Sequence, residues 1–121
     1  MPFMQARTIL ILPRDAIIGS LMGELVTFCG HSARYPLSDE TAAQALTRVQ
    51  PDIVLVDADH DSASNGAFIN AANARSRVIY FAGGRNDREL EQFATQRRAL
   101  AFPLPNGPRR LEQTLAAALR L

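Results

Sequence analysis

The feature that most constrains the fold is an unbroken apolar run that ends in a carboxylate, Pro51-Asp52-Ile53-Val54-Leu55-Val56-Asp57. Four consecutive aliphatic residues between polar neighbours predict a strand that is buried on both faces, as strands are at the centre of a parallel sheet. Asp57 then lies at the carboxyl end of this strand. Ligands and chemistry collect at that edge of open α/β sheets, because the loops that leave the strands converge there. The surroundings of Asp57 are therefore the first place to look for a functional site.

Other segments have strand-like or helix-like patterns and alternate along the chain. Continuous apolar runs predict strands, and apolar residues with a period near 3.6 predict amphipathic helices between them. Gly30 is expected to end the first helix, and Ser38 to cap the second, with Asp39 and Glu40 in its first turn. The predicted strands are 8–12, 31–35, 51–57, 77–82 and 99–102, and the predicted helices start near 15, 38, 67, 86 and 108.

Five strands that alternate with five helices over short connections predict a doubly wound α/β sandwich with a parallel sheet. At this size the flavodoxin-like strand order 2-1-3-4-5 is expected. The 121 residues fit a single domain, 1–121, with enough apolar content for a substantial core. That domain is compatible with a whole protein or with the N-terminal part of a longer one.

Composition argues against several classes of partner. Thirteen basic and twelve acidic residues give a net charge of +1, so direct nucleic-acid binding is not expected. No apolar stretch approaches the ~18 residues of a membrane span. The one cysteine, Cys29, cannot form an intramolecular disulfide or a zinc cluster, and a small buried side chain is a better interpretation than a reactive thiol. We expect a cytoplasmic protein.

The order of strands, helices and acidic residues resembles the receiver domain of bacterial response regulators, the CheY-like domain, over essentially the whole chain. Residues 51–57 resemble the third strand of that family, which places Asp57 at the phosphoacceptor position. The resemblance implies an acidic pair after the first strand that holds Mg²⁺ together with the phosphoacceptor. It also implies a Thr or Ser after the fourth strand and a Lys before Pro after the fifth, which bind the phosphoryl oxygens.

This chain departs from that pattern almost everywhere except at Asp57, and one acid, Asp15, is left after the first strand. All thirteen basic residues are Arg, so no alignment can supply the Lys. We therefore expect that Mg²⁺ binding is lost, that no other cofactor is required, and that Asp57 is vestigial, satisfied by backbone N–H groups. The residues at the other positions are Pro13 and Arg14, followed by Asp15 as a helix cap, then Ala82, and Leu104 before Pro105.

Arg14 is the informative substitution, because a guanidinium supplies permanently the positive charge that a metal supplies on binding. We hypothesise that it pairs with Asp57, directly or through water. Two other segments carry weaker patterns. Asp59, His60 and Asp61 are typical of metal ligands, but their crowding on one loop favours a solvated, helix-capping loop. Gly83-Gly84 precedes a helix and could cradle an anion, although a plain turn is the better interpretation.

These observations favour a degenerate or pseudo-receiver, a signalling module without enzyme activity that acts by binding a protein partner or an output domain. A conventional phosphoacceptor of a two-component phosphorelay and a small-ligand or anion-binding domain on the same fold are the alternatives. In receiver domains the face formed by the fourth helix, fifth strand and fifth helix is the usual dimer surface. Its arginines are our candidates for a homodimer contact: Arg85, Arg88, Arg97, Arg109 and Arg110.

Overall fold

The structure, a computed structural model, describes residues 5–120, so both ends of the predicted domain 1–121 lie outside the described residues. The described chain alternates strands and helices in the predicted order. The strands are β1 (Thr8–Leu12), β2 (Ser32–Arg34), β3 (Ile53–Asp57), β4 (Arg77–Ala82) and β5 (Leu100–Pro103). The helices are α1 (Ala16–Phe28), α2 (Ala42–Val49), α3 (Gly66–Arg75), α4 (Asp87–Gln96) and α5 (Pro108–Leu119).

All five strands form one parallel sheet in the order β2-β1-β3-β4-β5, which confirms the predicted flavodoxin-like architecture. The apolar run of β3 is fully buried at its centre, between β1 and β4. Because side chains alternate along a strand, each strand contributes to two cores. Val54 and Val56 pack with α2, α3 and α4 on one side, whereas Ile53 and Leu55 pack with α1 and α5 on the other.

The start of α2 differs from the prediction. Ser38 does not cap this helix, which begins three residues later, after Thr41. Thr41 and Gln44 form a reciprocal capping box, with bonds of 3.1 Å and 2.9 Å between each side chain and the other residue's backbone N–H. Glu40 lies outside the helix and accepts hydrogen bonds from the Arg48 guanidinium at 2.6 Å and 2.8 Å. The capping box satisfies the backbone N–H groups of Thr41 and Gln44 at the start of α2.

Other boundaries shift by one or two residues. β2 is shorter than the predicted edge strand, β5 begins and ends one residue later, and a 3₁₀ turn at Asp61–Ser64 precedes α3. Gly30 adopts φ +87°, a left-handed conformation that suits glycine and ends α1 as predicted. None of the helices formed by residues 5–120 combines the length and apolar character needed to span a bilayer.

Candidate functional site

Asp57 is the last residue of β3 and is 1% exposed. It pairs in register with Phe81 of β4, and its neighbour Val56 pairs with Leu12 at the end of β1. The loops that follow β1, β3 and β4 therefore surround it at the carboxyl edge of the sheet. The segments at positions 13–15, 82 and 104–105 lie at the same edge, because each follows or ends a parallel strand.

Both oxygens of the Asp57 carboxylate accept hydrogen bonds from the backbone. Oδ1 accepts from the N–H of Asp59 at 2.9 Å, and Oδ2 accepts from the N–H of Arg14 at 3.3 Å. The carboxylate thus connects the loop after β1 to the loop after β3. Because it is almost fully buried, a ligand in solution has little access to it.

The Arg14 guanidinium makes no direct ion pair with Asp57, and a pair through water, the other form of the hypothesis, stays a prediction. The Arg14 guanidinium instead lies against Asp15, with Nε 3.3 Å from Oδ2, and against Asp59, with Nη1 3.7 Å from Oδ2. It is the backbone of Arg14 that contacts Asp57. The physical reason is exposure: Asp15 and Asp59 present their carboxylates at the surface, where the guanidinium stays hydrated, whereas Asp57 lies beneath them.

Asp15 caps α1, as predicted. Its Oδ1 accepts a hydrogen bond from the N–H of Ile18 at 2.9 Å. That bond is the main reason why the pKa of Asp15 lies below its usual value, and Arg14 lowers the pKa further. Asp15, the one acid in the loop after β1, is therefore already bonded to the first turn of α1 and paired with Arg14.

Arg85 was predicted to lie on an interaction face, but the structure brings it to this site. Its Nη2 lies 3.2 Å from Oδ1 of Asp59 and 3.5 Å from the carbonyl oxygen of Ala58. Two guanidinium groups, those of Arg14 and Arg85, thus flank the one carboxylate of Asp59. The sequence signal was available: Arg85 comes directly after Gly83-Gly84 at the end of β4, the strand beside β3.

A cation–aromatic stack continues from Arg85 into α4. The Arg85 guanidinium carbon is 4.7 Å from the ring centre of Phe93, and that of Arg97 is 3.6 Å from the same centre. Tyr80 meets the Phe93 ring edge-on at 5.0 Å, and its hydroxyl donates to the carbonyl of Ala63 at 3.0 Å. Burial raises the pKa of Tyr80 to about 12. Arg85 and Arg97 are therefore engaged within the chain.

The positions that carry a hydroxyl and a lysine in the resembled family are apolar and buried. Ala82 is 0% exposed and Leu104 is 9% exposed. The two residues are joined through the backbone, since the N–H of Leu104 donates to the carbonyl oxygen of Ala82 at 3.0 Å. The Leu104-Pro105 peptide bond is cis. Neither side chain has a donor with which to bind a phosphoryl oxygen.

The residues present do not fit the Mg²⁺ site that the resemblance implies. Asp57 has both oxygens bonded to backbone N–H groups, and Asp15 is bonded to α1 and Arg14. His60 uses Nδ1 to accept from the N–H of Ser62 at 3.1 Å, as a cap of the 3₁₀ turn. Within residues 5–120, no three His, Cys, Asp or Glu side chains converge to form a metal site.

The remaining interface candidates, Arg88, Arg109 and Arg110, are exposed. A groove of about 400 Å³ lies between α4, β5 and α5, and Arg110 lines it together with Glu91. Two of the five predicted arginines are thus used internally, and three remain free for contacts with other molecules.

Comparisons with known proteins locate the fold. No family model matches the sequence, and no curated protein matches it. Solved structures do match, among them NtrX from Brucella abortus in complex with ADP, at TM-score 0.76 and 21% identity over 96% of this chain. The chain spans about a quarter of that protein, 26% of its length.

Shorter solved proteins match along their whole length. The BeF₃-activated N-terminal receiver domain of Klebsiella pneumoniae RstA aligns with TM-score 0.73 and 17% identity, covering 94% of this chain and 99% of that domain. The Vibrio cholerae chemotaxis response regulator CheY4 aligns with TM-score 0.69 and 15% identity, covering 95% of this chain and 100% of CheY4. The chain therefore has the fold of response regulator receiver domains.

Proposed function

We propose that this chain is an atypical receiver module that acts in signal transduction by binding a protein, and that it does so without Mg²⁺-dependent phosphorylation of Asp57. One observation carries the proposal: both oxygens of this 1% exposed carboxylate are bonded to backbone N–H groups. The neighbouring positive charges are guanidinium groups already paired with Asp15 and Asp59. A phosphoryl group would have to displace these contacts without a lysine, a hydroxyl or a metal to stabilise it.

The partner in this proposal is another protein or an output domain. The groove between α4, β5 and α5 suits such a contact, because it lies on the opposite side of β5 from the sheet interior and Arg110 and Glu91 give it mixed charge. We propose no enzyme activity and no cofactor, since no nucleophile–base pair follows from the sequence. A cytoplasmic location fits this role.

The conventional phosphoacceptor remains the rival within the same fold. The RstA receiver domain, which matches this chain in structure, was crystallised in a BeF₃-activated form. The similarity between this chain and the RstA domain is one of fold. The residues at positions 13, 14, 82 and 104 differ from those that bind Mg²⁺ and the phosphoryl group in the resembled family. No contact among the described residues favours the third alternative, a small-ligand-binding domain.

The test is an NMR titration of backbone amide shifts, first with Mg²⁺ and then with beryllofluoride, a mimic of a phosphorylated carboxylate. We expect no saturable shifts at Asp57, Ala82 or Leu104. The matched control is Pro13→Asp/Arg14→Asp, which restores an acidic pair beside Asp57 and should gain saturable Mg²⁺ shifts.

Saturable shifts at Asp57 in the unmodified chain would refute the proposal and favour the conventional phosphoacceptor. If both the parent and this variant stay silent, the missing acids are not the reason why the parent fails to bind Mg²⁺, and that step of our reasoning would be refuted. Partner binding is tested separately. Arg110→Glu should raise the dissociation constant of the complex between this chain and its partner protein or output domain.

A further inference from the structure

We propose that the outer surface of α1 and α5 is a contact between two copies of this chain. The first observation is where the exposed apolar residues lie. Every large hydrophobic side chain that is exposed among residues 5–120 falls between positions 17 and 37. Three of them belong to α1, at 82%, 43% and 79% exposure: Ile17, Leu21 and Phe28.

These three side chains form one stripe on the solvent side of α1. At 3.6 residues per turn, Leu21 and Phe28 fall within about 40° of Ile17 around the helix axis. The buried residues of α1, such as Met22 and Val26, lie on the opposite side. The stripe of Ile17, Leu21 and Phe28 therefore faces directly away from the core of its own chain.

The composition of α1 is unlike that of the other long helices. Glu24 is its one charged residue, whereas α4 carries Asp87, Arg88, Glu89 and Glu91, and α5 carries Arg109, Arg110 and Glu112. Exposed polar residues, Ser20, Glu24 and Thr27, flank the stripe on the outer side of α1. An exposed apolar patch with a polar rim is typical of a protein–protein contact surface.

Charge indicates that the partner at this surface is a second copy. α1 and α5 lie in one layer on the same face of the sheet, joined by a contact of 3.4 Å between Cys29 Sγ and the carbonyl oxygen of Pro108. On the outer side of this layer α1 presents Glu24, and α5 presents Arg109, which lies opposite its buried positions. Glu112 of α5 is also exposed and lies toward Cys29 and His31, on the side of α5 that faces α1. In our proposal a two-fold axis brings the acidic Glu24 of each copy toward Arg109 of the other, so that opposite charges meet.

The area of the stripe sets the expected strength. With roughly 200 Å² for each large side chain, the exposed fractions give about 400 Å² for Ile17, Leu21 and Phe28 together. A standard interface buries about 800 Å² on each partner. The stripe supplies about half of that, so we expect a weak dimer that forms only at high protein concentration. The net charge of +1 adds little repulsion between copies.

The experiment is sedimentation equilibrium on the full chain over a concentration series that extends to several hundred micromolar. We expect Phe28→Ala to raise the dimer dissociation constant at least tenfold, because Phe28 is the one aromatic residue of the stripe and aromatic anchors dominate such contacts. The matched control is Leu37→Ala, which removes a side chain of 61% exposure that lies outside α1 and α5. It should leave the dissociation constant unchanged.

Charge reversal tests the arrangement itself. Glu24→Arg and Arg109→Glu should each weaken the dimer, and the double variant should restore it. Arg110→Glu, which carries the same change one residue later but lies in the groove beside α4, should have no effect. A chain that stays monomeric throughout would overturn the inference. So would a dimer that is sensitive to Arg110→Glu and insensitive to Phe28→Ala, since its contact would lie on the face of α4, β5 and α5.

Discussion

Replacing Asp57 by Asn distinguishes a carboxylate that joins two loops from one that is poised to receive a phosphoryl group. The native carboxylate accepts hydrogen bonds from the N–H groups of Asp59 and Arg14 at 2.9 Å and 3.3 Å. An Asn side chain keeps one acceptor oxygen and turns its NH₂ group toward the second N–H. One of the two loop contacts is therefore lost.

The cost follows from the geometry. A buried donor left without a partner costs about 1–3 kcal/mol. Asp59 and Arg14 are exposed residues, so water compensates part of that cost. We expect Asp57→Asn to lower the free energy of unfolding by about 1–2 kcal/mol, and Asp57→Ala, which leaves both N–H groups unpaired, by about 2–4 kcal/mol.

The assay is urea unfolding followed by far-ultraviolet circular dichroism. With a slope of about 1–3 kcal/mol/M, the Asp57→Asn midpoint should fall by roughly 1 M. Asp39→Asn makes the same chemical change at an exposed residue and should stay within about 0.5 kcal/mol of the parent. In an unneutralised acidic cluster, removing one charge would relieve repulsion and stabilise the fold. An Asp57→Asn variant that unfolds at the same or a higher urea concentration than the parent would therefore refute our interpretation of this residue.

Two further predictions concern the α1 side of the sheet. Gly23→Ala would normally stabilise a helix by about 1 kcal/mol, but the added methyl group would overlap the Tyr35 hydroxyl, which donates to the carbonyl of Gly19 at 2.8 Å. We expect a net loss of about 1–2 kcal/mol that changes sign in a Tyr35→Ala background, which removes both the hydroxyl and the ring, measured by thermal unfolding, and a stabilising Gly23→Ala in the parent would contradict this packing. His31 is 6% exposed, its Nδ1 accepts from the N–H of Arg7 at 3.0 Å, and its pKa lies below 6.5, chiefly because of burial. Since the unfolded chain binds this proton more readily, stability should fall as the pH drops below 6.5 and level off below the folded-state pKa. His31→Gln should flatten that part of the profile, and an unchanged pH dependence would rule His31 out as its source.

The strands could be predicted from the sequence because burial on both faces leaves a continuous apolar run, as in Ile53–Asp57. The first residue of a helix was harder to predict where several possible capping residues lie close together in the sequence. Ser38 and Thr41 are both suitable caps, and the choice depends on Gln44 and on the pair between Glu40 and Arg48, which forms across eight residues. Local preference alone does not decide between them.

The candidate site was predictable in position and less so in contacts. Parallel topology brings Asp57, Ala82 and Leu104 to one edge whatever their side chains are. The direction of an arginine side chain, by contrast, depends on which carboxylate a distant loop presents. Asp59, from the loop after β3, attracts both Arg14 and Arg85, and no periodic pattern in the sequence marks that contact.

The backbone contacts of Asp57 have a consequence for timing. An aspartyl phosphate decays by hydrolysis, so a phosphorylated receiver has a built-in lifetime. On our proposal, the carboxylate of this module is bonded to its own loops and carries no phosphoryl group, so the lifetime of the signal is the lifetime of the protein–protein contact. On our proposal, the quantities that a cell would adjust are the amount of this protein and the dissociation rates of its complexes, rather than the supply and removal of phosphoryl groups.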